Sequence, residues 1–262
     1  MKYLLTGGHS GIGLELSKML LAEGHHLGLI VRTEGRKQET LRILGEEGNV
    51  DFFLCDLSKQ AQIAEVAKDI SQSWDQIDGL FNNAGLLTDQ AYYSDQGNEM
   101  QFEVNTIAPY LLTKALKPLL DKADAPFVVN TATGGLHNQK AIDIGELKKP
   151  SKFVKLLGSY MKSKLAMVAI MNFLAEEWPG IRILSVDPGP NKTKMTAGSG
   201  VPNWIKPLRR FLFSSPDKGA RLLYQATFHE QFEGMSGVYI SGSKARRMKV
   251  TVNQSQIDEM VS

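Results

Sequence analysis

Two sets of residues in this chain have types and spacings that suit chemistry. The first is "SYMKSK" (159–164), which sets Tyr160 four residues ahead of Lys164 and two ahead of Lys162. On a helix, residues four apart share a face, whereas residues two apart diverge by roughly 200°. Lys164 therefore stacks beneath Tyr160, and Lys162 points elsewhere. A phenol with a pKa near 10 is a poor proton carrier at neutral pH. A nearby ammonium favours phenolate and lowers that value, which suits a group that exchanges protons near neutrality. The same spacing arises often by chance in helices, so its meaning depends on what accompanies it.

The second set is "TGGHSGIG" (6–13), between a first β-rich run and a first helical pattern. Gly7 permits a tight turn, Gly11 lets backbone approach a phosphate, and Gly13 allows a helix to pack closely on a strand. The helix that follows offers free N–H groups and the positive end of its dipole to a pyrophosphate. A dinucleotide site follows from this arrangement. The end of the second strand bears on which dinucleotide it takes: an acidic residue there would bind the adenosine ribose of NAD. The sequence reads "LIVRTEGRK", with Arg32 at that end and Arg36 and Lys37 nearby. A guanidinium fork pairs a 2′-phosphate, so NADP(H) is favoured over NAD(H).

The elements that must position these residues alternate. Strand patterns at 2–6, 26–32, 50–55, 77–82, 126–133, 181–187 and 237–241 are separated by helical patterns near 11–24, 36–47, 58–73, 95–121, 151–178 and 216–230. Repeated βα units require a parallel sheet with helices on both faces. The expected fold is α/β: a single-domain, doubly wound Rossmann fold over residues 1–262, with a sheet of about seven strands. Ligands of such sheets bind beyond the carboxyl ends of the strands, where the strand order reverses.

Composition narrows the classes. With 42% apolar residues, a net charge of +2 and scattered Lys and Arg, the chain has no basic footprint for nucleic acid. The one cysteine, Cys55, cannot form an internal disulfide, which fits a reducing compartment. No apolar run reaches the roughly 18 residues of a membrane span, and "MKYLLTGG" has no hydrophobic signal segment. A cytoplasmic location is the simplest expectation.

The glycine spacing, "NNAG" (82–85) and "YMKSK" (160–164), in that order and each after a strand, together resemble the short-chain dehydrogenase/reductase family, over nearly the whole chain. The spacing around "GNEMQFEVNTIAPYLLT" is most similar to its retinol-dehydrogenase-like and carbonyl-reducing branches. The resemblance implies cofactor contacts from His9, Ser10 and Ile12 in the glycine-rich turn, from Asp56 and Leu57 in "CDLS", and from Asn82, Ala84 and Gly85 in "NNAG". It also implies contacts from Pro188, Gly189 and Thr193 in "DPGPNKT", with Thr193 reaching the nicotinamide carboxamide. Tyr160 would be the proton donor and acceptor, and Lys164 would hold the nicotinamide ribose as well as tune the tyrosine. The family usually has a serine at the end of the fifth strand; here "VVNTATGG" puts Thr133 there, with Thr131 as a less suitable neighbour. Asn105 would hold a relay water on its backbone carbonyl, which Pro109, lacking an N–H, cannot engage.

These features imply hydride transfer between NADP(H) and a carbonyl or alcohol carbon of a small molecule, with reduction of a ketone or aldehyde as the favoured direction. Substrate choice should reside in segments 134–158 and 190–214, the second carrying Trp204, Leu208, Phe211 and Phe213 beside Arg209 and Arg210. Two other functions stay open. A methyltransferase on a similar fold would want an acid after the second strand and would leave Tyr160 and Lys164 unexplained. An NADP(H)-binding regulatory or sensor protein is the stronger rival, because Thr133 is unusual. The sequence does not fix the oligomeric state, although in the family two long helices such as those near 95–121 and 151–178 pair across a homodimer.

Overall fold

Alternation along the strands divides the apolar residues between two faces of one sheet. The computed structural model describes residues 1–45, 49–139, 141–201 and 213–262. In chain order the elements are β1 (Lys2–Thr6), α1 (Gly11–Ala22), β2 (His26–Val31), α2 (Glu34–Leu44), β3 (Val50–Leu54), α3 (Gln60–Ser73) and β4 (Gly79–Asn82). A single turn, α4 (Met100–Phe102), runs through a π-helical turn (Glu103–Ile107) into α5 (Ala108–Leu120). Then come β5 (Phe127–Thr131), α6 (Ile144–Lys148), α7 (Ser159–Glu177), β6 (Arg182–Asp187) and α8 (Lys194–Ala197). The chain ends with α9 (Pro216–Phe228), β7 (Val238–Ser241), β8 (Lys244–Arg246) and α10 (Gln254–Val261).

The strands form one sheet in the order β3-β2-β1-β4-β5-β6-β7-β8. All pairings are parallel except the last, where β8 folds back on β7. The sheet therefore has eight strands where about seven were expected, because the short stretch after Gly242 adds a hairpin at the edge. The order reverses between β1 and β4, so the carboxyl ends of these two strands open a cleft.

Leu4, Ile30, Leu80, Val128 and Ile183 point to the face covered by α3, α5 and α7. Their neighbours Tyr3, Leu5, Leu29, Phe81, Val129 and Leu184 point to the face covered by α1 and α9. This is the two-residue period of a strand buried on both sides. On α1, Leu16 and Leu20 are four apart and both wholly buried; on α3, Ile63, Val66, Ala67 and Ile70 do the same work on the other face. Each of these Leu, Ile and Val side chains contributes on the order of 1.5–3 kcal/mol when fully buried. Helix α7 is buried on most of its circumference, and Met248, Val250, Val252, Ile257 and Met260 from the end of the chain join the same apolar cluster.

Two expected boundaries shift, each for a local reason. The long helix starts at Met100 rather than near 95, because the Glu99 carboxylate accepts from the N–H groups of Gln101 (3.0 Å) and Phe102 (3.1 Å) and caps it there. Its proline-induced kink is a π-helical turn in which Ala108 N–H reaches back five residues to Glu103 O. Helix α7 begins at Ser159 rather than 151, because Gly158 has non-helical dihedrals and a Cβ there would lie 2.4 Å from Val154 O. Trp204, Leu208, Arg209, Arg210 and Phe211 lie outside the described residues. Among the described residues no helix is long and apolar enough to cross a membrane, and no cluster of His, Cys, Asp or Glu is placed to hold a metal.

Candidate active site

The glycine-rich turn leaves β1 at the point of strand reversal. Gly7 and Gly11 have φ of 70° and 55°, in the left-handed region that glycine adopts without strain. At Gly13 an added Cβ would lie 2.3 Å from Gly7 O and 2.5 Å from Asn83 Nδ2, so only glycine lets α1 approach the turn. The turn is braced from β4. Thr6 Oγ1 accepts from the N–H groups of Asn83 and Ala84, both at 3.0 Å, and Asn83 Nδ2 donates to Thr6 O at 3.2 Å.

A continuous groove crosses this turn. At one end it is walled by Arg32, Arg36, Asp56 and Leu57; it passes Gly7, His9, Ala84 and Gly85. It continues over Ser10, Gly11 and Ile12 to Thr131 and Thr193. It then opens into a cleft of about 290 Å³ that holds Thr133, Tyr160, Pro188 and Gly189. At the far end, Arg36 pairs with Glu39 (2.6 Å) and Lys37 with Glu34 (3.3 Å), whereas Arg32 has no ion-pair partner among the described residues. Asp56 Oδ1 accepts from Ser58 N (3.0 Å) and Ser58 Oγ (2.8 Å), which fixes the turn after β3. Thr193 caps α8, and a Cβ on Gly11 would lie 3.1 Å from its Cγ2, so this residue closes over the glycine-rich turn.

The groove's dimensions and lining fit a dinucleotide. Two positive-φ glycines and one position that excludes any side chain form a cradle of backbone, beside the N-terminus of the twelve-residue α1. Among the described residues at the far end, Arg32 is the cation left without an ion-pair partner.

Tyr160, Lys164 and Thr133 come together where the groove meets the cleft. Helix α7 turns Lys164 inward, 3% exposed, with Nζ donating to Thr131 O at 2.7 Å. Lys162 points outward and pairs with Glu146 at 3.3 Å, as the helical repeat requires. Tyr160 and Thr133 line the same cleft, close enough for the Thr133 hydroxyl to act on the phenol. Strand β5 ends at Thr131, two residues earlier than expected, so Thr133 sits on the loop, held by Tyr239 Oη donating to its carbonyl at 2.8 Å.

The electrostatics differ from expectation. Burial pushes the Tyr160 phenol up to about 12, the Thr133 side chain opposes this, and the charge of Asp187 adds to it. Lys164 does not lower Tyr160, because its ammonium is turned to Thr131 O and is itself held down to about 8 by burial. The protein alone therefore keeps the phenol protonated at neutral pH.

Asn105 lies in the π-helical turn, fully buried. Its side chain clamps two segments: Oδ1 accepts from Leu86 N at 2.7 Å, and Nδ2 donates to Leu86 O (2.9 Å) and Ser163 Oγ (3.1 Å). Gly85 leaves the gap between Asn105 Oδ1 and Lys164 Nζ open; a Cβ would meet them at 3.3 and 3.6 Å. Asn82, expected at the cofactor, is instead turned into the sheet. Its Nδ2 donates to Thr113 Oγ1 (3.0 Å) and to Asn130 Oδ1 (2.9 Å), its register partner on β5. Asn83, the residue after β4, lines the groove instead. Sequence reasoning passed over Asn83 and Asp187; the signal for both was their position at or just after a strand's carboxyl end.

Similarity to known proteins accords with this geometry. Residues 2–142 match the family described as short chain dehydrogenase. The short chain dehydrogenase/reductase dpchH of Colletotrichum higginsianum is 30% identical over 91% of this chain and 67% of its own length. Human retinol dehydrogenase 13 is 27% identical over 93% of this chain and 76% of its own length. Human dehydrogenase/reductase SDR family member 12 is 30% identical, and the alignment spans 59% of that protein. Among solved structures, the oxidoreductase yciK of E. coli superposes with a TM-score of 0.73 at 25% identity, covering 92% of this chain and 93% of that one. The Pseudomonas aeruginosa RhlG/NADP complex superposes with a TM-score of 0.72 at 23% identity, covering 92% and 94%. The chain belongs to the short-chain dehydrogenase/reductase family of oxidoreductases.

Proposed function

We propose that this family member is an NADP(H)-dependent reductase of apolar ketones or aldehydes, able to run in reverse on the matching alcohols. The observation that carries this reading is the meeting of Tyr160 and Thr133 at the junction of groove and cleft, with Lys164 buried one turn below. When bound, the cofactor supplies the hydride that adds to the carbonyl carbon.

The chain's own residues do the rest. Backbone of Gly7–Gly13 and the start of α1 hold the pyrophosphate, with His9, Ser10 and Ile12 alongside. Arg32 pairs the 2′-phosphate, Asp56 and Leu57 border the adenine, and Ala84 and Gly85 line the path between. Pro188, Gly189 and Thr193 flank the reacting end, and Lys164 holds ribose hydroxyls. Tyr160, protonated at neutral pH, gives its proton to the developing alkoxide; Thr133 donates a hydrogen bond to the same oxygen. In the reductive direction this acid form supplies the proton the alkoxide takes up. Leu87, Leu156, Met161, Val201 and Phe213 wall the cleft and suit an apolar substrate.

A second reading, an NADP(H)-binding sensor, draws on Thr133 standing where the family has serine. Steady-state oxidation of NADPH with a panel of aryl and alkyl ketones and aldehydes separates the two. Turnover abolished by Tyr160→Phe, with NADPH binding retained, is expected of the reductase. Binding of NADPH without turnover on any member of the panel would mark a sensor.

A further inference from the structure

The cleft beside Tyr160 is walled mainly by apolar groups and hydroxyls, and among the described residues lining it Asp187 is the one charged side chain. Asp187 ends β6 and is 8% exposed. Its Oδ1 accepts from Gly189 N at 2.9 Å and its Oδ2 from Ser241 Oγ at 2.9 Å. It makes no ion pair among the described residues, so two neutral donors are its support and its charge is left to act on the cleft. Gly134 lies directly against it: a Cβ there would sit 3.2 Å from Oδ2. The reach of that charge is visible on both nearby phenols, Tyr160 and Tyr239, whose ionisation it opposes.

A carboxylate set in a largely apolar wall repels a second anion more strongly than it would in bulk water. We propose that Asp187 sets the charge class of the substrate: the cleft takes carbonyl compounds or alcohols that are uncharged near the reacting carbon, and rejects those with a carboxylate or phosphate there. The inference rests on the proposed reductase reading, because it takes the carbonyl to lie beside Tyr160. Like-charge juxtaposition in a desolvated site corresponds to discrimination on the order of 10²-fold.

The test uses a pair that differs in charge at one position and in size only by the ester methyl, methyl benzoylformate and benzoylformate, with NADPH. The wild-type protein should prefer the ester in kcat/KM by on the order of 10²-fold. Asp187→Asn keeps the shape and can still bond Ser241, whose hydroxyl both donates and accepts. It should raise the ratio of acid to ester by a similar factor; an unchanged ratio would overturn the inference. Asp187→Ala serves as a second neutral variant if the asparagine chain does not fold. Binding of benzoate against benzamide, followed by ligand-observed NMR on the NADPH-loaded protein, reads the charge filter without turnover. Benzamide binding with benzoate excluded by wild type and admitted by the variant supports the filter even if no ketone is reduced, which would then count against the reductase reading alone.

Discussion

Lys164→Met offers a test in which function and stability should move in opposite directions. Burial holds the lysine down from its ordinary 10.5 to about 8, a difference of roughly 2.5 pH units at 1.36 kcal/mol each. Its charged form thus costs the fold about 3 kcal/mol at pH 7 relative to the neutral form. Methionine removes the charge at similar length but leaves Thr131 O without its donor, a loss of about 1–3 kcal/mol. The variant should therefore be as stable as wild type at pH 7, or more stable by up to about 2 kcal/mol. It should nonetheless lose turnover and bind NADPH more weakly. The pH dependence carries the sharper signature. Between pH 8 and 10.5 the unfolded chain keeps the lysine proton while the folded chain has lost it, so stability rises with pH through that window. Cys55, Tyr160 and Tyr239 are pushed up to about 12 by burial and act in the opposite sense at alkaline pH, but they are present in both proteins. Urea denaturation of both proteins at pH 7 and 9.5 cancels them in the difference. Wild type should gain about 2 kcal/mol on the variant over that interval. A difference independent of pH would show that Lys164 is not held as a buried, destabilised ammonium.

Three further outcomes are expected. Arg32→Ala should weaken NADPH by about 1.5–3 kcal/mol, the range for a hydrogen bond to a charged group, and leave NADH nearly unchanged; equal weakening of both in calorimetric titrations would remove Arg32 from cofactor choice. Thr133→Val should lower turnover about 10²–10³-fold, by analogy with losing one oxyanion donor, while Thr133→Ser keeps much of it and both bind NADPH as wild type does; a fully active valine variant would take Thr133 out of the mechanism. Gly13→Ala forces a Cβ to within 2.3 Å of Gly7 O and should cost about 1–3 kcal/mol, with NADPH binding impaired; an unchanged melting temperature and cofactor affinity would show that α1 has room to move.

Much of this molecule follows from local pattern alone. Near-continuous apolar runs in β1 and β4 to β6, separated by helical patterns, specify a doubly covered parallel sheet, because a strand buried on both faces is apolar at successive positions. The glycine spacing and the Tyr160–Lys164 repeat are equally local, since a turn's φ and a helix's pitch are properties of a few residues. Lys162 and Lys164 part as the pitch dictates. What depended on tertiary contact was different in kind. Asn82 and Asn83 are chemically the same, and only pairing with Asn130 across the sheet turns one inward and leaves the other on the groove. The acidity of Tyr160 could not be read from a lysine one turn away, because desolvation and the direction of the Lys164 ammonium outweigh proximity. Asp187 gains its influence from being enclosed by Gly134, Gly189 and Ser241, which come from three separate stretches of chain. Periodicity sets where a side chain points; the dielectric and the partners it meets there exist only once distant segments have packed around it.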